Sequence, residues 1–301
     1  MERRYGDPLP LGEPGGLPYS KGLMARALIA GGVTAERAYR VARRIELDLA
    51  DRGETSLEFD RFEELAAEVL GEEEGRSAAG RLRRYAALQA LDVPIVLLVG
   101  GGTGTGKSTV ATEAAHRLGI TRVTSTDFIR QTIRAFFSVD FMPSVHYSSF
   151  EARHAGLAPE TSDPLLDGFL DQTRNVLVGV EAVIGRALAE GWSIVLEGVH
   201  LVPGLVPVEI EGALVVHTVL RIEDEDVHRG HFHVRDATTG GVRAMDKYLT
   251  RLDDIRTIQD YIVERAGRAG VPVIEATNTE RATAAVMDLV LSFAERLEPV
   301  A

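Results

Sequence analysis

At 301 residues, with 45% hydrophobic and 26% charged side chains, the chain has an ordinary globular composition, enough for one large core or two modest ones. It has no cysteine, which excludes disulfides, thiolate chemistry and Cys-based zinc sites, and its formal charge of −12 argues against a dedicated nucleic-acid binder. No apolar run approaches the roughly 20 residues of a membrane helix, and the N-terminus MERRYGDPLPLGEPGG lacks the apolar stretch of a secretory signal. A cytoplasmic protein with no membrane partner is expected.

Residues 1–91 read as a smaller, mainly helical domain. Leu23, Ala27 and Leu28 make a short apolar face that stops at Gly31-Gly32, a natural helix end. Thr34 is placed as the N-cap of the next helix, whose Ala38, Val41, Ala42, Ile45 and Leu49 recur at helical spacing until Gly53. Phe62, Leu65, Ala66, Val69 and Leu70 mark a third amphipathic segment. The charged stretch Gly71 to Arg76 reads as a loop. A last helix, around Ser77 to Leu91, leads to Val93-Pro94, where proline blocks continuation. The domain boundary is set there.

From residue 92 to 301 the pattern becomes α/β. Ile95 to Val99 is a continuous apolar run, typical of a strand buried on both faces. Four further strands are expected at Arg122 to Ser125, Ser193 to Glu197, Leu214 to Ile222 and Val271 to Ile274. Helical patterns separate them, among them the stripe Val176, Leu177, Val180, Val183, Ile184, Ala187 and Leu188. This alternation predicts a parallel sheet flanked by helices, of the P-loop NTPase kinase type.

The strongest motif follows the first strand: Gly101, Gly102, Thr103, Gly104, Thr105, Gly106, Lys107 and Ser108 match G-x-x-x-x-G-K-[ST], with Thr109 next. Its glycines let successive N–H groups curl around phosphate oxygens, and the helix beginning near Lys107 adds its positive end. Lys107 is expected to reach the β- and γ-phosphates of ATP, and the Ser108 hydroxyl to ligate Mg²⁺. Only Lys21, Lys107 and Lys247 occur in an arginine-rich chain, so a lysine here is informative. The guanine-reading Asn-Lys-x-Asp motif and an ABC-type signature are absent, and the negative charge disfavours a helicase. A small-molecule kinase is the natural reading.

The second strand opens into Thr124-Ser-Thr-Asp-Phe-Ile-Arg130, at the strand end where α/β sheets meet ligands. Asp127 is expected to take or orient the proton of an attacking hydroxyl, and Arg130 to clamp an anion on the acceptor. An Asp cap beside an exposed Arg is the plainer account. Glu197, ending the third strand, suits a Mg²⁺-water contact of the Walker B kind; a purely structural acid is the alternative. His200 reads equally as a substrate contact or a packed, hydrogen-bonded histidine. Pro143 to Glu151, with His146, Ser148 and Ser149, reads as a polar loop able to hold a carboxylate or phosphate, or to form turns of its own. His228, Arg229, His231, His233 and Arg235 form a basic stretch. It reads as a mobile lid whose Arg229 and Arg235 stabilise the transferring phosphoryl group, ahead of metal binding or a solvated loop. Asn278, after the last strand, is a candidate for the adenine pocket.

These motifs resemble the 2-phosphoglycerate kinase family over most of the chain. The likeness runs through Gly100 to Thr109, Ser125 to Arg130, His146-Tyr-Ser-Ser-Phe-Glu-Ala152, Gly179 to Val183, Glu197-Gly-Val-His-Leu-Val-Pro-Gly204 and Tyr248 to Tyr261. The phosphate loop is generic; the EGVHLVPG and SSFEA segments are far more specific. The resemblance implies MgATP-dependent phosphorylation of the 3-hydroxyl of 2-phosphoglycerate to 2,3-bisphosphoglycerate, which in methanogens feeds cyclic 2,3-diphosphoglycerate synthesis. An acceptor bearing phosphate and carboxylate requires converging cations, for which Arg130, Arg134, Arg229 and Arg235 are candidates. Leu17 to Met24 and the helices after it are similar to an ATP-cone, a regulatory nucleotide-binding module, although its leading strand is hard to find here. A packing or dimerisation bundle, and hence a homo-oligomer, fits as well. Two rivals stay open: a related kinase for a sugar acid or nucleotide, and a nucleotide-sensing switch acting on a partner protein.

Overall fold

The computed structural model describes residues 19–91, 93–155, 163–239 and 245–296. They form two compact units: one takes the residues up to Val93 with His116–Gly119 and the stretch from Met287, the other Pro94–Ala115 with Ile120–Val286.

The first unit is built from α1 (Lys21–Ala30), α2 (Ala35–Arg52), α3 (Phe59–Leu70) and α4 (Glu72–Ala90). Ser20 caps α1 by accepting from the Leu23 N–H, and Gly53 ends α2 in the left-handed conformation that glycine adopts without strain. Thr34 occupies the N-cap position of α2, but its hydroxyl makes no capping bond. Ala38, Val41, Ala42, Ile45 and Leu49 are buried as their spacing predicts. The expected loop over Gly71–Arg76 is instead the first turn of α4. Glu72, Glu73 and Glu74 suit the positive end of a helix, and Gly75 lets α4 approach α3 so closely that a Cβ would lie 2.6 Å from the Ala67 backbone.

The second unit carries the sheet. From Pro94 onward the elements in order are β1 (Ile95–Gly101), α5 (Lys107–Leu118), β2 (Val123–Ser125), α6 (Thr126–Phe136), α7 (Pro164–Ala189), β3 (Ile194–Glu197), β4 (Leu214–Arg221), α8 (Glu225–Thr239), α9 (Met245–Leu249), α10 (Leu252–Ala269), β5 (Val273–Glu275) and α11 (Thr279–Ala294), the ends of α5 and α11 being counted in the first unit. The five strands are parallel in the order β2-β3-β1-β4-β5. β1 is central and wholly buried, which its unbroken apolar run requires. β5 starts two residues later than expected, because the Val271 N–H is spent on the Ala266 carbonyl in closing α10 and Pro272 has none to donate. Ile129, Val176, Val180 and Ile184 of α6 and α7 pack with Val96, Leu98 and Leu196 in one core cluster, while Phe232, Ile255, Ile258 and Ile262 of α8 and α10 pack with Val219 in another. No described helix is long and apolar enough to cross a membrane.

Parallel pairing aligns the strand ends. Glu197 stands opposite both Val99 and Ser125, so the end of β3, the loop after β1 and the start of α6 share one edge.

Candidate active site

The loop after β1 folds as its glycines demand. Gly101, Gly104 and Gly106 have φ of +137°, +89° and +78°. A Cβ on Gly101 would lie 2.2 Å from the Leu220 carbonyl oxygen, and one on Gly102 2.8 Å from Gln259, whose amide bonds both backbone groups of Ile222. At Gly106 the Cβ position faces open space. Lys107 folds back across the loop, its Nζ donating to the Gly102 carbonyl at 2.6 Å, and the Thr105 hydroxyl donates to the same oxygen at 3.0 Å. Burial pushes the Lys107 pKa down, against the opposing pull of the Glu197 and Asp127 carboxylates. The Ser108 hydroxyl donates to Glu197 Oε1 at 2.8 Å, joining two residues 89 apart in sequence.

Asp127 lies in the first turn of α6, its Oδ1 accepting from Arg130 Nε at 3.1 Å. Burial by itself would raise its pKa; the Arg130 charge and hydrogen bond, with the Lys107 charge, outweigh this and hold the carboxyl below the usual range. Its side chain is 67% exposed, so the carboxylate is open to water. Arg130 is buried, and its Nη1 donates to the Val145 and Tyr147 carbonyls at 2.8 and 2.9 Å. Much of its guanidinium thus holds the 143–147 segment against α6.

His200 is fully buried. Gln172 Nε2 donates to the Ser144 and Tyr147 carbonyls, which leaves its Oε1 to accept from His200 Nε2 at 2.9 Å. His200 Nδ1 therefore accepts from the Thr126 hydroxyl at 2.8 Å. Burial pushes the His200 pKa down to about 3 despite the nearby Asp127 charge, so the ring is neutral. Of its two readings, the packed and hydrogen-bonded one matches this environment. Thr126 in turn fills the space beside Gly198, where a Cβ would meet its hydroxyl at 1.9 Å.

The fold thus brings Lys107, Ser108, Asp127, Arg130, Glu197 and His200 together. Other expected residues are engaged elsewhere. His146 Nε2 donates to the Phe137 carbonyl at 2.9 Å, Ser149 is buried, and the Ser148 hydroxyl accepts from Lys247, which also pairs with Glu151 at 2.7 Å. The expected loop is replaced by two 3-10 helices, Pro143–His146 and Ser149–Ala155, the second running past residue 151. Arg134 is exposed on α6, and Ser108 and Thr109 are exposed at the start of α5. Asn278 caps α11 through its Oδ1. The basic stretch from His228 is a helix, α8, because its apolar Phe232 packs into the core with α10. Arg229 pairs there with Glu225 at 2.7 Å, and the side chain of Arg235 lies outside the described residues. Sequence reasoning missed Thr126, Gln172 and Gln259, whose partners lie 28 to 74 residues away.

Ser108 and Glu197 place two hard oxygens side by side, a donor set that fits Mg²⁺ completing its shell with water and phosphate oxygens. Among the described residues no group of three or more His, Asp or Glu side chains is arranged to hold a metal without such help. A buried ammonium beside an open glycine turn likewise fits an anion.

No family model matches the chain. Whole-chain relatives do. It is 37% identical to the 2-phosphoglycerate kinase of Thermococcus kodakarensis over 272 residues, covering 90% of this chain and 92% of that one. The 2-phosphoglycerate kinase of Methanopyrus kandleri is 36% identical over 86% of this chain and 79% of its own length. That of Methanothermobacter thermautotrophicus is 38% identical over 86% of this chain and 85% of its own.

Proposed function

This chain belongs to the 2-phosphoglycerate kinase family, and from that premise we propose that it transfers the γ-phosphoryl group of ATP to the 3-hydroxyl of 2-phosphoglycerate, giving ADP and 2,3-bisphosphoglycerate. The observation that carries the reading is the meeting of Lys107, Ser108, Glu197 and Asp127 at one sheet edge, in a chain alike to these kinases over most of its length.

When bound, MgATP supplies the phosphoryl group, whose bond to the β-bridging oxygen breaks as a new one forms to the acceptor oxygen. The amides of residues 102–107 bind the phosphate tail and Lys107 balances its charge. Ser108 would ligate Mg²⁺ and Glu197 would hold it through water, so that the metal would offset phosphate charge. Asp127 takes the proton of the acceptor hydroxyl, a role suited to an exposed carboxylate that stays ionised. Arg130 keeps Asp127 in place and secures the 143–147 segment, while the buried Thr126–His200–Gln172 chain holds α6, β3 and that segment in register. Arg134 and Arg235 are assigned to the acceptor's anionic groups; Arg229 reaches it only by releasing Glu225. The remaining catalysis is positioning and electrostatics. Residues 1–91 form an ATP-cone-like module and 92–301 the kinase domain in this scheme.

The test is ADP formation from MgATP with 2-phosphoglycerate, 3-phosphoglycerate, glycerate or gluconate. Stimulation by 2-phosphoglycerate above the other three is expected. Stimulation by gluconate alone would replace the acceptor, and ADP release that no acceptor increases would leave a nucleotide switch instead.

A further inference from the structure

We infer that His228 and His231 of α8 are positioning residues that aim the backbone N–H groups of the phosphate loop, an inference that rests on reading residues 101–108 as the nucleotide phosphate site. His228 Nε2 lies 2.8 Å from the Thr103 carbonyl oxygen and His231 Nδ1 lies 3.1 Å from that of Gly104. A carbonyl only accepts, so each of these ring nitrogens carries the proton. In a planar trans peptide the C=O and the following N–H point in opposite directions. Holding the carbonyls of Thr103 and Gly104 therefore orients the N–H groups of Gly104 and Thr105 away from α8. Thr105 and Lys107 hold the Gly102 carbonyl likewise. Three successive peptide units are thus oriented by side chains before any phosphate arrives, and preorganised donors need no reordering when the anion binds.

His228 is an odd residue to bury for packing alone. It is fully enclosed, and its Nδ1 has no hydrogen-bond partner among the described residues. Burial lowers its pKa against the pull of the Thr103 hydrogen bond, so the ring is held neutral. An apolar side chain would fill the space without burying a bare nitrogen. The ring is instead held firmly. It stacks on Phe232 at 5.4 Å and 21°, and Phe232 stacks on Tyr248 at 5.2 Å and 9°. Gly104 makes room for this approach, since a Cβ there would lie 2.5 Å from Phe232 and 3.0 Å from His228 Nε2. The stack supplies rigidity, and the imidazole supplies the donor to the Thr103 carbonyl.

Two pairs of variants separate aiming from packing. His228→Phe keeps a ring and loses the donor; His228→Gln restores an N–H near the Nε2 position. His231→Ala removes the donor of the half-buried second imidazole and His231→Asn restores an N–H near the Nδ1 position. Loss of the donor should raise the KM for ATP and the Kd for ADP about tenfold each, while the KM for 2-phosphoglycerate and the affinity for adenosine, which has no phosphate, stay within about twofold. The Gln and Asn variants should recover most of the loss. If His228→Phe does not fold, the His231 pair decides alone. Nucleotide constants within twofold of the parent in the donor-less variants would overturn the inference, as would equal losses of ADP and adenosine, or no recovery with Gln or Asn. A parent protein that binds no ADP would instead remove the phosphate-loop reading itself.

Discussion

Lys107 and Asp127 are assigned different parts of the proposed chemistry, and their substitutions should separate. Lys107 is a buried ammonium lying across the loop, so Lys107→Ala should lower turnover at least 10³-fold, at the upper end of what a positioned charge supplies, while circular dichroism shows a folded chain. Substantial turnover in that variant would contradict the assignment of the loop. Asp127→Asn should reduce kcat by about 10²–10⁴-fold with little change in ADP affinity, because the exposed carboxylate pairs with Arg130. Its depressed pKa fixes the sign of the pH effect: Asp127 stays ionised below the ordinary Asp value of about 3.9, so no fall in kcat/KM between pH 7 and 5 should trace to it. A near-normal rate for the Asn variant would reduce Asp127 to a residue of the α6 first turn. Both residues were legible in the sequence, one from a contiguous motif and the other from its place just after a strand end. Thr126 and Gln172 were not, because an ordinary Thr or Gln gains meaning only from the buried imidazole between them.

At the scale of elements, the site depends on β3 and α6 meeting without a side chain between them. Gly198 has φ +152° and abuts Thr126, the residue that bonds His200. Gly198→Ala should displace the start of α6, lowering kcat strongly and reducing stability by about 1–3 kcal/mol, the usual cost of overpacking. Denaturant unfolding and steady-state rates measured together would check this, and an active, equally stable variant would show that the two elements yield freely. The same logic explains where sequence and structure part. The acidic run after Gly71 reads as a loop from its charges alone, and the close α3–α4 contact at Gly75 goes with a helix instead. The basic run of α8 reads as a lid while its Phe232 is ignored; burial of that ring makes it a packed helix.

For the molecule as a whole, the buried neutral histidines His200, His217 and His228 set a direction for acid stability. His200 and His217 have pKa values pushed down to about 3 and about 4 by burial. In the unfolded chain each titrates near the ordinary value of about 6.5. Between those limits the unfolded state binds more protons, so stability is full above about pH 6.5 and falls as the pH drops towards the folded values. Urea unfolding at pH 7, 6 and 5 should give decreasing stability, with a shallower slope in His217→Gln. A rise on acidification would show that these rings are protonated in the fold.

The alternation of apolar runs, the single loop of glycines ending in Lys107-Ser108 and the acid residues near two strand ends made the sheet, its phosphate loop and much of the candidate site readable from residue order alone. These signals are local: each needs only a few consecutive residues and one periodicity. Packing decided the rest. Which histidine is sealed away, which arginine is spent on carbonyls and which imidazoles grip the loop all depend on contacts between residues up to 127 apart in sequence, where burial and hydrogen-bond partners, not residue type, determine what a side chain does.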